Sequence, residues 1–185
     1  MALGNFIREF LNQLFDMLVA ITGTPGTGKT SLSKMLASKG YETLALGDIV
    51  KEHGLSSQYD ALHDTYIVDV DLFRDIEIVS DRLTFVEGHL SHHLTCELII
   101  VLRCRPDTIY ERLEQRGYSD EKSAENAESE MVGVILMESV DTGIPTYEID
   151  CSDKTLDAIG MAVIQIINGE THDYLPGKID WIGDC

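Results

Sequence analysis

The feature that most constrains the fold is an eight-residue segment near the start of the chain, Gly23–Thr30, with the sequence GTPGTGKT. It fits the pattern Gly-x-x-x-x-Gly-Lys-Ser/Thr, and the apolar run Leu18–Thr22 comes directly before it. Glycines at these positions let the main chain turn sharply with its N–H groups inward, and a helix starting at Lys29 would point its positive end at the same place. The segment therefore predicts a strand, a phosphate-binding loop and a helix in succession.

The end of this loop carries the chemistry expected of an ATP site. Lys29 would reach the β- and γ-phosphate oxygens, and the Thr30 hydroxyl would be a ligand of Mg²⁺. The residues predicted to bind the nucleotide are Gly23, Pro25, Gly26, Thr27, Gly28, Lys29 and Thr30. ATP and Mg²⁺ are therefore the expected cofactors.

Short apolar runs and longer helical segments alternate along the rest of the chain. Further strands are predicted at 42–46, 83–87, 98–102 and 147–149, and helices at 29–39, around 69–80, and at 106–116, 120–138 and 154–167. This alternation predicts an α/β fold of three layers, in which helices cover both faces of a doubly wound, five-stranded parallel sheet.

The length of 185 residues, with 44% hydrophobic and 25% charged residues, predicts one globular domain at 17–168 with a segment on either side. Residues 1–16 are predicted to form an amphipathic extension, which could be a packing helix, a partner-binding helix or a leader before an alternative start at Met17. Residues 169–185 lack periodicity, and Trp181 is expected to dock on the domain as an apolar anchor.

The charge balance is strongly acidic, with 14 Lys plus Arg against 32 Asp plus Glu and a net charge of −18. Such a field disfavours strong nucleic-acid binding and suits either a solvated surface or a basic protein partner. The four cysteines have no Cys-x-x-Cys pairing, which favours a reducing cytoplasm, and no membrane anchor is expected from residues 1–16.

A second candidate element follows the apolar run 83–87. Glu87 stands at the end of that predicted strand and is expected in the Mg²⁺ shell, while His89 would position the attacking group. His89, His92 and His93 also suggest a zinc site as an alternative. Because no Cys or carboxylate lies at ligand spacing beside them, ordinary site or surface histidines are the expectation.

Longer motifs carry a family resemblance. They are LGD at 46–48, VEGH at 86–89, VLR at 101–103 and YERLEQRGY at 110–118. From about Met17 to Ile167 the chain resembles the adenylate kinase isoenzyme 6 family of coilin-interacting nuclear ATPases, and especially its archaeal members. The resemblance implies a P-loop NTPase fold of the nucleoside monophosphate kinase type, with short monophosphate-binding and lid segments.

The same resemblance implies residue roles around the transferred phosphoryl group. Lys29, Glu87, His89 and Arg116 are the implied catalytic residues. Arg103 and Arg116 are implied to bind the nucleotide, with Arg116 near the phosphoryl group or the adenine.

For the acceptor, AMP or another nucleoside monophosphate, the resemblance implies Asp48 and Lys51 as binding residues. Family members often have Arg at the position of Lys51 and Asp at that of Glu87. Since Lys cannot form a planar two-bond phosphate clamp, tight AMP binding is weakened. ATP hydrolysis then becomes an expected activity beside AMP phosphorylation.

The resemblance also implies a partner, a basic ribosomal protein of the small-subunit platform, and a role in ribosome biogenesis and rRNA processing. The alternative function is a small-metabolite kinase on the same scaffold, of the shikimate or dephospho-coenzyme A kinase type, because the phosphate loop alone does not define the acceptor.

Overall fold

The computed structural model describes residues 17–60 and 65–183. Its strands are β1 (Leu18–Thr22), β2 (Glu42–Ala45), β3 (Ser56–Asp60), β4 (Thr65–Val68), β5 (Thr84–Glu87), β6 (Leu98–Arg103) and β7 (Thr146–Asp150). Its α-helices are α1 (Lys29–Ser38), α2 (Leu46–Glu52), α3 (Pro106–Gln115), α4 (Asp120–Val132), α5 (Val134–Asp141) and α6 (Leu156–Ile167). The predicted amphipathic helix within residues 1–16 lies outside the described residues.

The central sheet has the strand order β2-β5-β1-β6-β7, and all its neighbours pair in parallel. Strand β1 is in the middle, where Ala20 pairs with Val86 on one side and Ile99 on the other. Every residue of β1 is buried, as its continuous apolar sequence predicts for a strand covered on both faces. The predicted α/β fold with a doubly wound five-stranded sheet is confirmed.

Two hydrophobic cores lie between the sheet and the helices, one on each face of the sheet. On one face, helices α1 and α6 pack against the sheet through side chains such as Leu32, Leu36 and Val163. On the other face, helix α2 and Phe73 cover Ala20 and neighbouring strand residues. Helices on both faces leave the edge formed by the strand ends open, so the loops at the carboxyl ends of the strands are free to build a site.

Two helix predictions need correction. Around 69–80 the chain forms only a 3₁₀ turn, Val70–Asp75, and then has no regular structure. Ile76 and Ile78 both pack against the core while the residues between and after them are exposed, which is the alternation of an extended chain and not of a helix. The predicted helix 120–138 is interrupted at Gly133, whose φ of 70° ends α4 in a left-handed turn. Helix α2 and the antiparallel pair β3–β4 were not predicted.

The C-terminal segment follows α6 over the domain surface, as the loss of periodicity predicts. Trp181 is 9% exposed, so it docks on the domain. It also donates a hydrogen bond from Nε1 to Oε1 of Glu130 at 3.2 Å, which an apolar anchor alone would not require. Across residues 17–60 and 65–183, the helices are too short or too polar to cross a bilayer.

Candidate nucleotide site

The loop after β1 has the backbone that its glycines predict. Gly23 has a φ of 137°, and a Cβ atom there would lie 2.3 Å from the carbonyl oxygen of Leu102. Only glycine therefore allows the loop to pass this close to β6. Gly28 has a φ of 103° and precedes the first residue of α1, so the chain turns directly from the loop into the helix. The loop thereby places the start of α1 beside it, where helix N–H groups attract an anion.

Lys29 is held inside the loop. It is 9% exposed, and its Nζ donates to the carbonyl oxygens of Gly23 at 2.6 Å and Thr24 at 3.0 Å. Burial lowers the pKa of Lys29 to about 8, with the Arg116 charge contributing, while the carboxylates of Glu87 and Glu130 oppose the change. At pH 7 the ammonium group is still mostly protonated, so the loop keeps a positive charge at its centre.

Two oxygen-bearing side chains meet beside Lys29. The Thr30 hydroxyl lies 3.3 Å and 3.4 Å from the two carboxylate oxygens of Glu87, which ends the neighbouring strand β5. Hard cations such as Mg²⁺ prefer carboxylate and hydroxyl oxygens. The donor set thus fits the magnesium site predicted for Thr30 and Glu87.

A cavity of about 650 Å³ opens over the loop. Its lining residues come from the loop and the start of α1, the end of β5 with the residues after it, the turn between α3 and α4, and helices α4 and α5: Thr24, Pro25, Gly26, Gly28, Lys29, Thr30, Ser31, Glu87, Gly88, His89, Leu90, Arg116, Tyr118, Lys122, Glu125, Asn126, Ser129 and Ile135. The structure therefore brings together all four side chains predicted to be catalytic, and the volume suits a small-molecule ligand.

The side chain of His89 is exposed to this cavity. The residues around the cavity nevertheless shield it in part from bulk water. That desolvation, with the charge of Lys29, lowers the pKa of His89 below its usual 6.5. The imidazole is therefore neutral at pH 7 and has one nitrogen free to accept a proton or a hydrogen bond.

A smaller cavity of about 220 Å³ also borders the loop. It shares Gly26, Gly28, Ser31 and Arg116 with the first cavity and adds the cationic residues Arg112 and Lys154. Arg112 donates from Nη1 to the carbonyl oxygen of Gly26 at 3.0 Å. Sequence analysis did not identify Arg112 as a residue of this site, because its contact with the loop joins residues 86 positions apart.

Arg103 does not reach either cavity. It is 2% exposed, and its guanidinium donates to Glu130 Oε1 at 2.6 Å and to Glu148 Oε2 at 2.9 Å. Two buried carboxylates thus hold the planar fork, which leaves it no free edge toward a nucleotide. We therefore correct the predicted nucleotide-binding role of Arg103 to a structural one.

Asp48 and Lys51 lie on helix α2, away from the cavity lining. Their side chains are 79% and 80% exposed, and they pair with each other at 3.5 Å across one helical turn. The structure neither brings them to the phosphate loop nor gives them another buried partner, so their acceptor-binding role stays a prediction.

The three histidines separate into two environments. Whereas His89 faces the cavity, His92 is fully buried, with Nδ1 3.0 Å from Thr22 Oγ1 and Nε2 3.2 Å from Glu138 Oε2. Burial lowers the pKa of His92 to about 3. Folding brings Glu138 within 4.8 Å of the ligand atoms of His92 and His93, a carboxylate that sequence spacing did not reveal. Since both ring nitrogens of His92 already have protein partners, these contacts favour a structural histidine over a zinc ligand.

Known proteins are similar in sequence to most of this chain. The family described as "AAA domain" matches residues 19–133. Two archaeal proteins, both named "Putative adenylate kinase", are close relatives. The one from Archaeoglobus fulgidus is 39% identical over 174 residues, covering 91% of this chain and 93% of that protein. The one from Pyrococcus abyssi is 41% identical over 166 residues, covering 89% and 91%.

Solved structures share the fold at lower identity. Shikimate kinase from Acinetobacter baumannii has a TM-score of 0.54 at 13% identity, covering 87% of this chain and 98% of that one. Thymidylate kinase from Candida albicans has a TM-score of 0.51 at 12% identity, covering 84% and 92%. The chain therefore belongs to the AAA domain family by its family match, and to an adenylate kinase-like family by its similarity to the two archaeal proteins.

Proposed function

We propose that the protein transfers the γ-phosphoryl group of ATP to AMP and so forms two ADP, as an adenylate kinase of the isoenzyme 6 family. The observation that carries this proposal is the meeting of Lys29, Glu87, His89 and Arg116 around one cavity beside the phosphate loop. The names of the archaeal relatives support the same reaction.

Nucleotide binding begins at the loop. Its main-chain amides and the Lys29 ammonium group bind the β- and γ-phosphates, since Lys29 exchanges its loop carbonyl partners for phosphate oxygens. The nucleoside of ATP then extends across Gly26 toward the smaller cavity, between Arg112 and Lys154. Arg116 lines both cavities, so it lies between the nucleoside in the smaller cavity and the phosphates in the larger one.

Thr30 and Glu87 would hold Mg²⁺, which when bound neutralises charge on the phosphate oxygens. The neutral imidazole of His89 orients the acceptor oxygen, a phosphate oxygen of AMP or a water molecule. Arg116 stabilises the negative charge on the transferred group. Catalysis then rests on positioning and electrostatics, which phosphoryl transfer mainly requires.

We propose ATP hydrolysis as a second activity because the acceptor side is poor in positive charge. Residues 40–102 contain Lys51, Arg74 and Arg82 as their only fixed cations. Lys51 pairs with Asp48, and Arg82 lies 3.2 Å from a carboxylate oxygen of Glu42. An AMP phosphate therefore meets a weak clamp, and water competes for the phosphoryl group.

We also propose a partner, a basic ribosomal protein of the small-subunit platform, and a role in ribosome biogenesis. The net charge of −18 supports a basic partner, and the family resemblance supports this particular one. A pull-down with that protein, in the presence and absence of MgATP, tests whether nucleotide changes the affinity. Equal affinity in all nucleotide states would contradict a nucleotide-controlled partner role.

The central experiment measures ADP formation from MgATP with AMP, without an acceptor, and with shikimate or dephospho-coenzyme A. Wild type should form ADP fastest with AMP, slowly without an acceptor, and no faster with the two metabolites. Lys29→Ala and His89→Gly should lose this activity, whereas Lys34→Ala, at an exposed lysine of α1, should keep it. A metabolite that outperforms AMP would favour the small-metabolite kinase, and absence of turnover despite bound nucleotide would contradict a kinase.

A further inference from the structure

Glu130 connects the phosphate loop to a distant part of the chain. It lies near the end of α4 and is 2% exposed. One carboxylate oxygen, Oε2, accepts a hydrogen bond from Thr24 Oγ1 in the loop at 2.6 Å. The other, Oε1, accepts from Arg103 Nε at 2.6 Å, from the Cys104 N–H at 3.2 Å and from Trp181 Nε1 at 3.2 Å. The same side chain therefore touches the loop, the end of β6 and the C-terminal segment.

A second buried carboxylate holds the same segment. Glu148 is 2% exposed and accepts hydrogen bonds from the main-chain N–H groups of Lys178 at 2.7 Å and Ile179 at 3.0 Å. Its other oxygen accepts from Arg103 Nη1 at 2.9 Å. Arg103 thus joins Glu130 to Glu148, and residues 178–181 are fastened to both carboxylates.

The hydrogen bonds of this network depend on one another. A buried carboxylate that loses one of its donors bears a desolvation cost, so every bond in the network favours the others. A displacement of Thr24 removes one hydrogen-bond donor from the Glu130 carboxylate. A displacement of Trp181 removes another donor from the same carboxylate. Helix α4 also lines the nucleotide cavity through Asn126 and Ser129, so the network and the cavity share a wall.

We propose that Glu130 is a positioning residue that couples the phosphate loop to the C-terminal segment 178–181. Order in the segment holds Thr24 in its binding conformation, and nucleotide at the loop in turn tightens the docking of Trp181. The two effects are equal in size because binding linkage is reciprocal. The proposal rests on the proposed function for the identity of the nucleotide only, since the network itself requires no ligand.

Trp181 is the one tryptophan of the chain, so its fluorescence reports on the segment directly. Acrylamide quenching of Trp181 should fall when MgATP is added to wild type, because the indole becomes less accessible. Thr24→Val removes the hydroxyl that Glu130 binds without touching the segment. In this variant MgATP should no longer protect Trp181, even at concentrations where calorimetry shows saturated binding. Glu128→Gln, at an exposed position of the same helix, should behave as wild type.

The opposite direction is tested by kinetics. Trp181→Phe keeps an aromatic ring but removes the N–H that Glu130 accepts, and it should raise the KM for MgATP about fivefold or more, a typical size for coupling between sites. The KM for AMP should stay unchanged, because Glu130 links the segment to Thr24 of the loop that binds MgATP and not to the acceptor side. Glu130→Gln, which keeps an acceptor oxygen for the indole, should raise the KM for MgATP less than Glu130→Ala does.

The outcomes separate this proposal from the proposed function. Protection of Trp181 by MgATP in both wild type and Thr24→Val would overturn the coupling, as would binding by calorimetry with no protection in wild type. Equal KM values in Trp181→Phe and wild type would overturn it as well, even if the melting temperature fell. MgATP binding with coupling but no phosphoryl transfer would contradict the proposed function alone, whereas absence of any nucleotide binding would overturn both.

Discussion

Replacing Lys29 by Met should reveal how strongly burial opposes the charge at the centre of the loop. Burial lowers the pKa of Lys29 from 10.5 to about 8. Between these two values the unfolded chain binds more protons than the native protein, so the stability of wild type rises with pH across that window. One pH unit corresponds to about 1.4 kcal/mol. Protonation of Lys29 therefore destabilises the native state by about 3 kcal/mol at pH 7 and by about 1 kcal/mol at pH 9.5.

Urea unfolding of wild type and Lys29→Met at both pH values measures this effect. The free energy of unfolding of wild type, relative to the variant, should increase by about 2 kcal/mol from pH 7 to pH 9.5. Lys34→Met, at an exposed position of the same helix, serves as the control and should follow wild type. A difference between wild type and Lys29→Met that is the same at both pH values, or that changes in the opposite direction, would refute the reasoning.

Three further changes probe the loop, the metal ligands and the acceptor side. Gly23→Ala should abolish MgATP binding, measured by calorimetry, because its Cβ would lie 2.3 Å from the Leu102 carbonyl oxygen. The control Gly143→Ala, where no atom lies within 4 Å of the added Cβ, should leave binding intact. Glu87→Gln should raise the Mg²⁺ concentration for half-maximal turnover about tenfold, since it removes a charged oxygen ligand; an unchanged magnesium titration would argue against that role. Lys51→Arg should lower the KM for AMP alone, because a guanidinium can form two bonds to a phosphate, and an unchanged KM would remove Lys51 from the acceptor site.

The central part of the fold follows from local sequence. An apolar run, a glycine-rich turn and a helical segment follow one another within Leu18–Ser38, and each restricts the backbone on its own. The ends of parallel strands meet at one edge, so Glu87 at the end of β5 was expected near Lys29 and Thr30. The convergence of these residues was predictable because it depends on strand order and not on packing detail.

Other features depend on contacts between distant residues and leave little local signal. Glu130 and Thr24 are 106 positions apart, and no motif marks either as a partner of the other. Arg103 matched a family motif, but its role follows from two buried carboxylates on other elements. Gly133 interrupts a segment whose helical propensity is otherwise continuous, so the break between α4 and α5 is visible only in the structure.

The central claim is that the phosphate loop delivers a phosphoryl group from MgATP to AMP. The most direct test is to follow the label from γ-labelled ATP after incubation with the protein, Mg²⁺ and unlabelled AMP. The account predicts that most of the label appears in ADP, that a smaller part appears as inorganic phosphate, and that Lys29→Ala shows neither. Label found in inorganic phosphate alone, or left entirely in ATP while the nucleotide is bound, would contradict it.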